Sequence, residues 1–201
     1  MVMNRIWLEM ANGNGSGITG KLMHLIQYIR EDMLQPIRYL MVGAGIGLAF
    51  IIVLELCVHL AGKGDWLRKN WRKWFWVLII IYLTVLLNVA FFSREPGTRN
   101  QVSLTLFETW GNTMQCHAYF VENIIMFLPF GILFPMGFKK FQSGCFCVDM
   151  AFLFSLCLEI IQYETQRGYA QIDDVVTNTA GALAGWLFWR ICKFVKDLIV
   201  S

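Results

Sequence analysis

Five stretches of this chain are apolar for long enough to cross a bilayer as single helices: Tyr39–Leu60, Trp74–Phe92, Ala118–Phe138, Cys145–Tyr163 and Val175–Val195. At a rise of ~1.5 Å per residue, about 20 residues span a hydrocarbon core of ~30 Å. No other feature restricts the fold as much. Within lipid every backbone N–H and C=O has to be paired inside the protein, and an isolated apolar run of this length pairs them all only as a helix. The expectation is an all-α, polytopic transmembrane helical bundle of about five spans. Composition agrees, with 57% of the 201 residues hydrophobic, 15% charged and a mean hydropathy of +0.52. A net charge of +3, carried in basic clusters between apolar runs, is the pattern of membrane topology and not of a nucleic-acid surface, so no nucleic-acid partner is expected.

Residues 1–38 form an arm ahead of the first span, and residues 39–201 the transmembrane domain. The arm is not read as a cleavable signal, because no compact apolar core precedes a small-residue cleavage site. Gly13, Gly15, Ser16, Gly17 and Gly20 make a flexible stretch. Leu22, Leu25, Ile26, Ile29 and Met33 then recur at helical spacing, with Lys21, His24, Arg30 and Glu31 elsewhere on the wheel. That pattern predicts an amphipathic helix lying in the interface and ended by Pro36. In the first span Gly43, Gly45 and Gly47 give a small-residue face, and Glu55 and His59, one turn apart, read as a mutual pair. Five of the six cysteines lie in or beside apolar runs and Cys116 in a long loop; no disulfide framework, metal site or cofactor is implied.

Charge gives the orientation. Lys63, Arg68, Lys69, Arg72 and Lys73, interleaved with Trp66, Trp71, Trp74 and Trp76, follow the first span. Lys139 and Lys140 follow the third, and Arg190, Lys193 and Lys196 end the fifth. By the positive-inside rule these are cytoplasmic, which places the N-terminus outside and the C-terminus in the cytoplasm. Arg5, Lys21, Arg30 and Arg38 in the arm run against this, partly balanced by Glu9, Glu31 and Asp32.

On that topology Arg94, Glu122, Asn123, Glu159, Gln162, Arg167, Asp173, Asp174 and Asn178 gather at the outer end of the bundle. Glu159 and Gln162 are three apart and Asp174 and Asn178 four apart, so each pair shares a helical face. An unpaired acid at mid-bilayer costs roughly 2.5–3.5 kcal/mol on insertion scales, so these groups are expected to be paired, hydrated or protonated. The expectation is a wet, outward-facing pocket with Arg94 and Arg167 bridging carboxylates; the alternative is an internal polar network that only fixes the bundle. Gly181 and Gly185 give the fifth helix a small-xxx-small face, and Pro129 removes a backbone donor and is expected to kink the third span.

The segments ENIIMFLPFGILFP (Glu122–Pro135) and LEIIQYETQRGYAQIDDVVTNTAGALAG (Leu158–Gly185) resemble the VanZ-like family of bacterial membrane proteins. The matching positions are Asn123, Phe127, Pro129 and Gly131, then Glu159, Gln162 and Arg167, then Asp173, Asp174, Asn178, Gly181 and Gly185; Arg94 also matches. The resemblance covers about residues 91–189 and leaves the arm out. It implies a multi-pass protein of the bacterial cell membrane with an envelope role, linked to low-level resistance to the lipid-bearing glycopeptide teicoplanin. The partners it suggests are the lipid bilayer and a cell-wall precursor, lipid head group or lipoglycopeptide at the polar site. The alternative is an intramembrane enzyme acting on a lipid or cell-wall precursor head group. In it Glu122, Glu159 and Asp174 supply acid and base or hold a divalent cation. No serine or cysteine nucleophile stands beside a histidine at these helix ends, which ranks it second. A transporter ranks third, because no repeat is evident and the acids are confined to one face.

Overall fold

The structure is a computed structural model that describes residues 18–60, 72–92, 94, 96–97, 101–108, 110–111 and 113–200. Gly13, Gly15, Ser16 and Gly17, the basic loop with Lys63, Arg68 and Lys69, and the side chains of Arg38, His59, Arg72 and Lys73 lie outside the described residues, while Gly20 belongs to the first helix. Among the described residues five long helices run α1 (Ile18–Leu60), α2 (Arg72–Leu87), α3 (Met114–Gly137), α4 (Gly144–Glu164) and α5 (Ile172–Val200). A π-helical turn, Asn88–Phe92, extends α2, and a 3₁₀ turn, Lys139–Gln142, links α3 to α4. Two short strands, β1 (Val102–Ser103) and β2 (Ala170–Gln171), pair in parallel, Val102 opposite Ala170 and Ser103 opposite Gln171.

Among the described residues four segments are long and apolar enough to cross a membrane, Tyr39–Cys57, Trp74–Phe92, Met114–Gly137 and Gly144–Glu164, and the expected fifth span, Val175–Val195, is not one of them. Helix α5 is 29 residues long and carries no Asp, Glu, Lys or Arg between positions 175 and 189. Its charges sit at its two ends. The outside of the bundle is apolar: Met41, Ile52, Leu56, Phe188 and Ile191 are each more than half exposed, a surface that lipid has to cover.

Two elements differ from the expectation. Pro36 does not end a separate interfacial helix, because α1 is one helix of 43 residues with Pro36 inside it. A helical proline costs about 3 kcal/mol by removing one backbone bond. That cost is met because the helix has neighbours on both sides of it. Ahead of Pro36, Asp32 reaches Glu122 of α3. Beyond it, Gly43 and Gly47 lie against Ile81 and Val77 of α2, where a Cβ would stand 3.0 Å from the nearest atom. The third span also starts earlier than Ala118. Thr113 caps α3, its Oγ1 accepting from Cys116 N at 3.2 Å, so Cys116 belongs to the first helical turn and not to a loop.

Helices α3 and α5 form the tightest pair. A Cβ at Gly131 would fall on the Ala182 carbonyl, one at Gly181 on the Ile124 carbonyl, and one at Gly185 on the Leu128 carbonyl. The two backbones touch directly, as small residues permit between membrane helices. Helix α3 is continuous through both Pro129 and Pro135. Beside the glycine contact runs a ladder of rings that periodicity alone did not single out. Phe130 stacks on Phe134 with centroids 4.2 Å apart, Phe134 meets Phe141 at 5.0 Å, and Phe154 of α4 closes on Phe130 at 5.9 Å. At the end of the bundle where α3 meets α4, Gln142 accepts from Trp186 Nε1 at 3.3 Å and from Lys193 Nζ at 3.2 Å. Lys139, Lys140 and Lys193 are thus collected at one end, away from the acids.

Gly131→Ala should lower stability by about 1–3 kcal/mol, because backbone and not a flexible side chain occupies the space. Gly45→Ala, with nothing within 4 Å of the added Cβ, should instead raise it, by up to about 1 kcal/mol, because alanine is the better helix former. Thermal unfolding of the two purified variants beside the parent checks both.

Candidate functional site

The site is built on the end of α2. A π turn and the close of a helix leave carbonyls without intrahelical donors. Gln162 Nε2 donates to Ala90 O at 3.0 Å, and Arg167 Nη1 donates to Phe91 O at 2.9 Å and to Arg94 O at 3.3 Å. Gln162 comes from the last turns of α4 and is only 5% exposed. Arg167 is brought back beside it by the way α4 closes. Gln166 takes the left-handed conformation (φ 54°) and Arg167 N bonds to Gln162 O at 2.9 Å, a standard helix termination. The arginine expected to bridge carboxylates therefore holds backbone oxygens instead. A planar guanidinium with several fixed donors suits two neighbouring carbonyls.

With its backbone held, Arg94 places its guanidinium beside Gly168. Gly168 gives it room: a Cβ there would stand 3.1 Å from Arg94 Nη1. The Arg94 charge acts attractively on both Glu159 and Asp174, which repel one another. Glu159, 5% exposed, accepts from Gln171 N at 3.0 Å through Oε2. Asp174 Oδ1 accepts from Asn123 Nδ2 at 2.8 Å. Asp173 and Asp174 occupy the first turn of α5, where the helix dipole favours negative charge. Asp173 Oδ1 accepts from Phe107 N at 2.6 Å. That contact ties the 101–111 segment, with Phe107 at φ 63°, to the start of α5.

The nine expected residues thus separate by role. Arg94, Asn123, Glu159 and Asp174 form a mixed-charge cluster drawn from four elements. Gln162, Arg167 and Asp173 hold backbone. Asn178 turns into the bundle, where its Nδ2 donates to the buried Ser155 hydroxyl at 2.9 Å. Glu122, 7% exposed, meets the Asp32 side chain. Sequence reasoning missed Asp32 and Gly168. The signal for Gly168 was its place directly after Arg167; for Asp32 it was an acid four residues before a proline that the helix passes through.

Apolar helices closed at one end by buried acids around one arginine, with basic residues at the other end, define a polytopic helical membrane protein. The chain belongs to the VanZ/LLP1 family, whose profile matches residues 74–193. It is 32% identical over 117 residues to Protein VanZ of Enterococcus faecium, an alignment covering 54% of this chain and 68% of that protein. No solved structure matches it. The whole of α1, Asp32 included, lies outside the family match.

Gln162→Leu should leave the Ala90 carbonyl buried without a donor and cost about 1–3 kcal/mol. Gln101→Leu, at an exposed side chain, should cost less than about 0.5 kcal/mol. Thermal unfolding in the same detergent distinguishes the two.

Proposed function

We propose that this protein acts at the outer face of the bacterial cell membrane. There the Arg94, Asn123, Glu159 and Asp174 cluster engages the polar head of a cell-wall precursor, lipid or lipoglycopeptide and so lowers the access of glycopeptides such as teicoplanin. What supports this reading is the mixed charge of the cluster: one guanidinium whose charge acts on two carboxylates, one of which accepts from the Asn123 amide. Such a set complements a head group that bears both an anionic oxygen, for Arg94, and an amine or hydroxyl donor, for the acids. The basic residues at the far end support an orientation with the C-terminus in the cytoplasm and the N-terminus outside. Family membership supports the link to glycopeptides.

Cells expressing Glu159→Ala or Asp174→Ala protein, at parental abundance in the membrane, should lose the protection that the parent gives against teicoplanin. Full protection by both variants contradicts the proposal. Orientation is read separately. A cysteine introduced at exposed Gln166 should react with an impermeant maleimide added to intact cells, and one at exposed Lys139 should not.

A further inference from the structure

The connection between α2 and α3 carries a surface that the polar site does not account for. Between positions 104 and 110 it presents Leu104, Leu106, Phe107 and Trp110, which are 77%, 54%, 64% and 43% exposed. Positions 102–107 contain no Asp, Glu, Lys or Arg, and the acid that follows, Glu108, accepts from the Ser103 hydroxyl.

The backbone beneath these side chains is held from several directions. Ala170 N donates to Gln101 O at 3.0 Å, and β1 pairs with β2. Phe107 lies at φ 63°, a conformation that a residue with a side chain keeps only where its neighbours dictate it. Here the bond from Phe107 N to Asp173 does so. The Trp110 ring stands 4.2 Å from His117 and 4.9 Å from Phe120, so the connection is packed on the first turns of α3. A fixed backbone therefore displays the four apolar side chains.

What covers them follows from where the connection begins and ends. It leaves the second span at Phe92, which is exposed, and enters the third at Met114, whose first turns carry the exposed Tyr119. Lipid has to surround both spans, and the apolar surface they turn to it continues onto the connection. Leucine and phenylalanine flanked by tryptophan and tyrosine is the composition of a membrane boundary, where aromatic rings sit at head-group level. A turn with strand pairing only two residues long suits that depth and not the hydrocarbon core, which tolerates no unpaired backbone.

We propose that residues 104–110 are an interfacial anchor, seated among lipid head groups and the upper acyl chains, with Leu104, Leu106, Phe107 and Trp110 as its membrane contacts. The anchor bears on the polar cluster through two bonds. Gln171, opposite Ser103 in the strand pair, donates its N–H to Glu159 at 3.0 Å. Phe107 N donates to Asp173, the neighbour of Asp174. Seating the anchor thus holds both acids of the cluster at head-group depth, whatever ligand the cluster takes.

Electron paramagnetic resonance of the full chain, in nanodiscs of phosphatidylcholine and phosphatidylglycerol, tests this. A nitroxide is attached to Leu104→Cys or Leu106→Cys, one at a time, with the six native cysteines replaced by serine or alanine. Relaxation by oxygen, which partitions into lipid, should exceed relaxation by a water-soluble nickel chelate by about threefold or more at both positions, as for side chains buried below the head groups. A label at Gln166→Cys, exposed at the close of α4, should show the reverse preference. Preference for the chelate at either anchor position places it in water and overturns the proposal. Shielding from both reagents means that a second copy or another protein covers the segment, and overturns it equally. Both leucines are exposed, so either label leaves the packing intact, and Val102→Cys, also at an exposed side chain, replaces a variant that fails to fold.

Discussion

The constraint on which this structure depends is the disposal of backbone carbonyls at the end of α2. A helix that stops near a membrane face leaves polar groups that neither lipid nor its own next turn can satisfy. Here the π turn makes the problem sharper, and the hairpin between α4 and α5 answers it. Gln162 and Arg167 reach across more than 70 residues of sequence to hold Ala90, Phe91 and Arg94 by their carbonyls. Once those oxygens are held, the Arg94 side chain has a fixed origin, and its charge acts on both Glu159 and Asp174. The polar cluster is a product of that clamp.

The clamp in turn needs α4 and α5 to stand at a defined height beside α3, which the glycines provide. Where Gly131, Gly181 and Gly185 bring α3 and α5 into backbone contact, little sliding is possible without a carbonyl meeting a Cα hydrogen. Asn123 on α3 and Asp174 on α5 are then set in register for their 2.8 Å bond. The phenylalanine ladder fills the remaining space between α3 and α4. Packing and polar chemistry are thus coupled through the same two helices.

Much of this was legible in the chain. The apolar runs showed that the chain is helical and where most of the helices lie, because a bilayer leaves a long apolar run few alternatives; they missed that the arm and the first span are one helix. Glu159 with Gln162, and Asp174 with Asn178, were separable from the apolar background by spacing alone. What spacing did not contain was direction within each pair. Gln162 and Asn178 face backbone and core, whereas Glu159 and Asp174 feel the Arg94 charge. Arg167 illustrates the limit: a guanidinium among acids reads as an ion-pair partner, yet the local close of α4 turns it toward carbonyls. Pro36 was misread for a related reason. Its local penalty was visible in the sequence, and the tertiary contacts of α1 that outweigh it were not.

The central claim is that Arg94 is energetically tied to the buried acids it faces. A double-mutant cycle on thermal unfolding, using Arg94→Gln, Glu159→Gln and the double variant, measures that tie directly. The account predicts a coupling of at least about 1 kcal/mol, since Arg94→Gln takes from Glu159 the charge that acts on it, and that loss has no counterpart once Glu159 is already Gln. Additive effects, within about 0.5 kcal/mol, would contradict it.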